Sequence, residues 1–130
     1  MPRVFTVEEA NALVPRIDAL FARYLKTREE TRPIREQLAH VEQHGYSNGV
    51  DLATKLRELR RQLEAKDGEV NAPLQEIAAM GCEIKDPDQG LVDFPSLREG
   101  RVVYLCWKLG EDRIRFWHET TAGFAGRQPL

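Results

Sequence analysis

The chain lacks most of the features that announce a function. It has two cysteines, Cys82 and Cys106, outside any Cys-x-x-Cys spacing. That excludes a zinc ribbon and a thioredoxin-like redox pair. No apolar run approaches the roughly 18–20 residues of a bilayer span, so no membrane helix is expected. The opening residues lack the charged-then-apolar order of a secretory signal. The cytoplasm is therefore the expected compartment, and reduced thiols the expected state of both cysteines. Charge of one sign is also missing. Lys and Arg number 19 against 21 Asp and Glu, a net charge of −2. The balance is even along the chain, 12 to 13 over residues 1–80 and 7 to 8 over 81–130. A nucleic-acid face needs a basic stripe, so nucleic acid is not an expected partner. The one basic cluster, Arg57, Arg60 and Arg61, is interleaved with Glu58 and Glu64 and reads as a solvated helix face. The glycine-rich tail 123–127 lacks the Gly-Lys-Ser/Thr ending of a phosphate loop.

What is present divides near residue 80. A chain of 130 residues fits one domain, here a helical hairpin over 1–80 and a β-meander with a tail over 81–130. Thr6-Val7-Glu8-Glu9 is a capping box and starts a helix. A stripe at four-three spacing follows, from Leu13, Ile17, Leu20 and Tyr24 to Ile34, Leu38 and Val41. Pro15 and Pro33 lack the N–H that a helix interior needs, so a kink is expected at each, or a break near Pro15. His40 and His44 share a helix face at metal-ligand spacing, but nothing in the motif completes a site. A turn over residues 44–49 leads to a second helix, capped by Asp51, Ser47 or Asn48. Its stripe runs through Leu52, Leu56, Leu59, Leu63, Val70, Leu74 and Ile77 and stops at Gly81. Two such helices form an antiparallel hairpin. Phe21, Leu25 and Ala53 fall outside the facing stripes, and need cover from the sheet or from a second copy of the chain. A homodimer is the expectation.

After Gly81 the period becomes two. Strands are expected over Cys82–Lys85, Leu91–Phe94 (ended by Pro95), Arg101–Trp107 and Arg113–His118. The predicted fold is α+β: a long proline-kinked helical hairpin packed with a four-stranded antiparallel sheet. If the last turn centres on Gly110 and Glu111, Trp107 faces Ile114 and Val103 faces His118. A one-residue slip instead sets Cys106 beside Phe116 and His118. Both registers fit the pattern.

The C-terminal residues Gly90-Leu91-Val92-Asp93-Phe94-Pro95, Leu105-Cys106-Trp107, Phe116-Trp117-His118 and Gly123-Phe124-Ala125-Gly126-Arg127 resemble the bacterial and archaeal DUF2203 family. The opening Phe5-Thr6-Val7-Glu8-Glu9-Ala10-Asn11 does so too. The resemblance covers essentially the whole chain. A domain of unknown function by its name, the family implies no activity, and no catalytic residue is assigned from it.

The polar residues among these aromatics are the candidates. Cys106, Glu111, His118 and Asp93 offer a thiolate, an imidazole and two carboxylates. That set suits Zn²⁺, or Fe²⁺ or Mn²⁺ if the carboxylates dominate. A Cys–His nucleophile pair, with Arg127 holding an anion, is the catalytic alternative. Each residue also has a structural role open to it: an edge histidine, a buried apolar cysteine, a turn carboxylate, or an Arg127 pinning the tail to Asp93 or Glu111. Two functions are thus expected. The first is a self-associating structural or interaction module. The second is a metal- or small-ligand-binding protein, with a divalent transition metal such as zinc as cofactor.

Overall fold

The computed structural model describes residues 3–46 and 51–130. Among these residues the chain is α+β. The helices are α1 (Val7–Glu30), α2 (Arg32–His44) and α3 (Leu52–Ala79). The strands are β1 (Glu83–Asp86), β2 (Leu91–Arg98), β3 (Arg101–Lys108), β4 (Phe116–Glu119) and β5 (Gln128–Pro129). They form one antiparallel sheet in the order β1-β2-β3-β4-β5, a plain meander. The sheet has five strands where the pattern predicts four. The fifth spans Gln128–Pro129, too short to show any alternation.

Thr6 starts α1 as its residues predict. Its hydroxyl accepts from the Glu9 N–H at 3.0 Å, and the Glu9 carboxylate accepts from the Thr6 N–H at 2.9 Å. Hydrogen bonding to the carboxylate from the Thr6 backbone N–H, and next from the Thr6 side chain, holds the Glu9 carboxyl below its ordinary range. The helix then runs unbroken through Pro15. Pro15 is exposed, and its missing N–H costs one bond, the one to the Asn11 carbonyl. The buried stripe of Ala10, Val14, Ile17 and Phe21 passes it on both sides and keeps the helix in place. The helix gives way at Thr31 instead. Pro33, in the first turn of α2, has no N–H to offer the Glu29 carbonyl. Thr31 is buried there, and its hydroxyl donates to the Arg28 carbonyl at 2.7 Å. Asp51 caps α3 by accepting from the Thr54 N–H at 2.8 Å. The other cap candidates, Ser47 and Asn48, lie outside the described residues. Gly81 closes the helical half with φ +99°, a conformation that favours glycine.

The chain forms two compact units. One is Tyr24–Ala72. There Glu30 faces Lys66 at 3.8 Å and Glu42 faces Arg60 at 3.5 Å, which sets the helical segments antiparallel around buried Val41 and Leu59. The other unit is Met1–Arg23 with Pro73–Leu130. Its core lies between α1 and one face of the sheet. The Phe21 ring stacks near Trp107 with centroids 6.1 Å apart, and Phe5 meets Phe94 edge-on at 5.3 Å. Phe21 therefore finds its cover within its own chain.

Two strand boundaries differ from their sequence expectation by more than one residue. Strand β2 continues past Pro95 to Arg98. In an extended strand the N–H and C=O of a residue point to the same side. The Pro95 carbonyl points outward and accepts from the Phe5 N–H at 2.7 Å, so its missing N–H falls on that outer edge. The Phe5 carbonyl bonds the Ser96 hydroxyl instead, at 2.6 Å. Strand β4 begins only at Phe116. The Ile114 N–H is drawn off to the Asn11 side chain at 2.7 Å, and the Trp107 indole N–H donates to the Glu111 carbonyl at 2.9 Å. A tight turn remains over Lys108–Glu111, where the Glu111 N–H donates to the Lys108 carbonyl at 3.0 Å, but pairing resumes only at Phe116 and in the slipped register: Tyr104 faces His118, Leu105 faces Trp117 and Cys106 faces Phe116.

Candidate metal centre

That register decides what the polar residues can do. Val92, Phe94, Leu105, Trp107 and Trp117 take one face of the sheet, packed in the core. Asp93 and Cys106 are directly paired on the other face. His118 joins them there from β4, diagonal to Cys106. All three are buried, at 2–3% exposure. A carboxylate oxygen, the thiol sulfur and a ring nitrogen lie within 4.8 Å of one another.

The hydrogen-bond partners of His118 fix its protons. Nδ1 lies 2.8 Å from the Glu119 carbonyl, and Nε2 lies 3.0 Å from Asp93 Oδ1. A carbonyl can only accept, so Nδ1 carries a hydrogen. Nε2 and Asp93 then share one proton: an imidazolium donates to a carboxylate, or a carboxylic acid donates to a neutral ring. Either way the pair has no net charge. Burial pushes the Cys106 thiol up to about 12, and the charge and hydrogen bonding of Asp93 add to the effect. Cys82, the other thiol, is buried, donates to the Ile77 carbonyl at 3.2 Å and is pushed up to about 11.

A cavity of about 210 Å³ opens beside the three side chains. Lys85 and Tyr104 line it from the sheet, and Thr120, Gly123 and Phe124 from the tail. The Tyr104 hydroxyl donates to Glu83 at 2.8 Å, and the Lys85 ammonium reaches the same carboxylate at 2.9 Å. Burial raises the Glu83 carboxyl, but these two bonds outweigh it and hold the group below its ordinary range. Glu83 is the β1 partner of Asp93, so its pairing with Lys85 also keeps two like charges from facing each other unscreened.

Glu111 stands apart from the cluster. Its carboxylate accepts from the Lys108 N–H at 2.6 Å, and both its oxygens lie 2.7–2.9 Å from the Arg127 guanidinium. Arg127 is held between the rings of Phe116, at 4.1 Å, and Phe124, at 4.5 Å. His40 and His44 have their rings 4.8 Å apart on an exposed face, and no third ligand joins them among the described residues. Arg60 reaches Glu42 across the helices, and Arg57 reaches the Thr54 hydroxyl at 3.3 Å. Sequence reasoning left out Glu83, Lys85 and Tyr104. Their nearness to Asp93 and His118 follows from strand pairing alone and leaves no motif in the chain.

A family model described as "Uncharacterized conserved protein (DUF2203)" matches residues 3–130. No curated protein and no solved structure matches the chain.

Proposed function

We propose, from the premise that this chain belongs to the DUF2203 family and that the family's description names no activity, that it binds a divalent transition metal, zinc fitting best, through Asp93, Cys106 and His118. The observation that carries this reading is the convergence of three different ligand groups from three neighbouring strands at one buried point. The His118 ring is already oriented for the task. Its Nδ1–H bonds a carbonyl and its Nε2 faces the cluster, the arrangement in which metal-binding histidines are held. Two hydrogens occupy the ground a cation would take, the thiol proton and the proton shared by His118 and Asp93. Their loss would give a thiolate, a carboxylate and a neutral imidazole, which together balance a divalent charge. Ligand atoms around tetrahedral zinc lie roughly 3.3–3.8 Å apart for bonds of about 2.0–2.3 Å. A contraction of about 1 Å therefore closes the site. A thiolate favours zinc over manganese or magnesium. Three protein ligands leave a fourth position toward the cavity, the pattern of zinc sites that also hold water or a small ligand.

The Cys–His nucleophile pair has less support. Both ring nitrogens of His118 are engaged elsewhere, and the Cys106 thiol is weakly acidic. Two buried free thiols suit the reducing cytoplasm. Interleaved charge at Arg57, Arg60 and Arg61 continues to disfavour a nucleic-acid partner. Self-association is the second reading. It draws support from Leu97 and Val102, which face each other across the β2–β3 hairpin and are 61% and 46% exposed. A homodimer through this hairpin predicts a concentration-dependent sedimentation coefficient that Leu97→Asp abolishes.

The metal reading is tested by elemental analysis of tag-free protein purified without chelators, beside Cys106→Ser and His118→Ala. We expect close to one equivalent of zinc, lost in both variants. Cobalt loading should give a thiolate charge-transfer absorption that Cys106→Ser removes. A folded wild-type protein that neither retains zinc nor takes it up in titration would end this reading.

A further inference from the structure

We propose that residues 120–130 act as a strap controlling access to the Asp93–Cys106–His118 cavity, and that the Arg127–Glu111 pair is its latch. The inference rests on the reading above for what passes beneath the strap, a divalent cation. Thr120, Gly123 and Phe124 form the wall of the cavity that the sheet does not supply. Among the described residues few other contacts fasten this wall, the Lys108 ammonium 5.3 Å from the Phe124 ring centroid being one. Strand β5 pairs with β4 at Phe116 and Trp117 only, and the Leu130 N–H donates to the Arg115 carbonyl at 2.9 Å.

The two halves of the latch are unequal. Glu111 is fixed without the strap, through the Lys108 N–H. Arg127 belongs to the strap and brings the Phe124 ring with it. Its guanidinium also lies 3.4 Å from the Cys106 carbonyl, so the latch closes on the strand that carries the thiol. Arg127 Nε is buried without a hydrogen-bond partner among the described residues. The closed position therefore leaves one donor unused, a cost that opening to water relieves. The turn before the latch is close-built as well. A Cβ on Gly126 would lie 2.8 Å from the Ala122 Cβ, so any side chain there pushes the strap apart.

Two variants open the strap by different means, and neither alters a ligand. Arg127→Ala removes the latch, and Gly126→Ala wedges the turn. The readout is the rate of N-ethylmaleimide addition to each cysteine of zinc-free protein, resolved by peptide mapping. Both variants should raise the rate at Cys106 about tenfold or more and leave Cys82 unchanged, as a local opening does. Zinc transfer to a chromogenic chelator should accelerate by a similar factor, with the equilibrium affinity shifted by less than about threefold, since a gate moves both rates together. Unchanged labelling of Cys106 in both variants would overturn the strap. So would Cys82 and Cys106 rising together, which marks general loosening. Failure of wild-type protein to bind zinc would remove the cation reading alone, and the ratio of the two labelling rates would still decide the strap.

Discussion

At the scale of single residues, side chains that look alike in the sequence have separate work. Glu111 and Asp93 are both carboxylates among aromatics. Asp93 faces an imidazole and a thiol, and Glu111 faces a backbone N–H and a guanidinium. Phe21 sits on the outer side of the first helix by spacing, yet it is fully buried near Trp107. Phe21→Ala should cost about 3–5 kcal/mol, the range for deleting a buried aromatic ring, and the urea midpoint should fall accordingly. A loss under about 1 kcal/mol would mean that this part of the core is loosely packed. The Asp93, Cys106 and His118 candidates were legible because they are polar residues inside apolar strands. Glu111 joined them by closeness in sequence, which says nothing about the direction of a side chain at the end of a strand.

At the scale of elements, helices were more legible than strand ends. The Thr6 capping box and the Asp51 cap can be read directly, because both ends of each bond lie within three residues. The passage of α1 through Pro15 cannot be read locally. It depends on burial of Val14, Ile17 and Phe21, which only the folded chain supplies. The extent of β2 depends on Phe5, and the register of β4 on Asn11, both remote in sequence. Pro15 also supports a prediction. It sits on the exposed side of a helix that gains nothing visible from it, so Pro15→Ala should restore the bond to the Asn11 carbonyl. Chemical denaturation should show stabilisation of about 1–3 kcal/mol. Destabilisation would mean that Pro15 sets the fit of α1 to the sheet.

At the scale of the whole molecule, acid and metal should act in opposite directions. The carboxyls of Glu9, Asp51, Asp112 and Glu119 are held below their ordinary values, chiefly by hydrogen bonds from Thr6, Thr54, Arg115 and Arg101 respectively. A carboxyl lowered by folding adds stability above its unfolded pKa and loses it as pH falls through the folded value. Stability should therefore be flat from neutrality to about pH 5 and decline below about pH 4, near the ordinary carboxylate values. Denaturation midpoints across that range check this. Zinc at about a hundredfold excess over its Kd should add about 2.7 kcal/mol to stability, read as a rise in Tm. That gain should shrink in acid, where protons compete for the thiolate and the imidazole.

The slipped pairing of β3 with β4 has one more consequence. A shift of a single residue would swing His118 to the side of Trp107 and leave Asp93 and Cys106 without their nitrogen. An ion gripped by all three would therefore proofread the meander as it forms, rewarding the one alignment of three strands in which the grip exists.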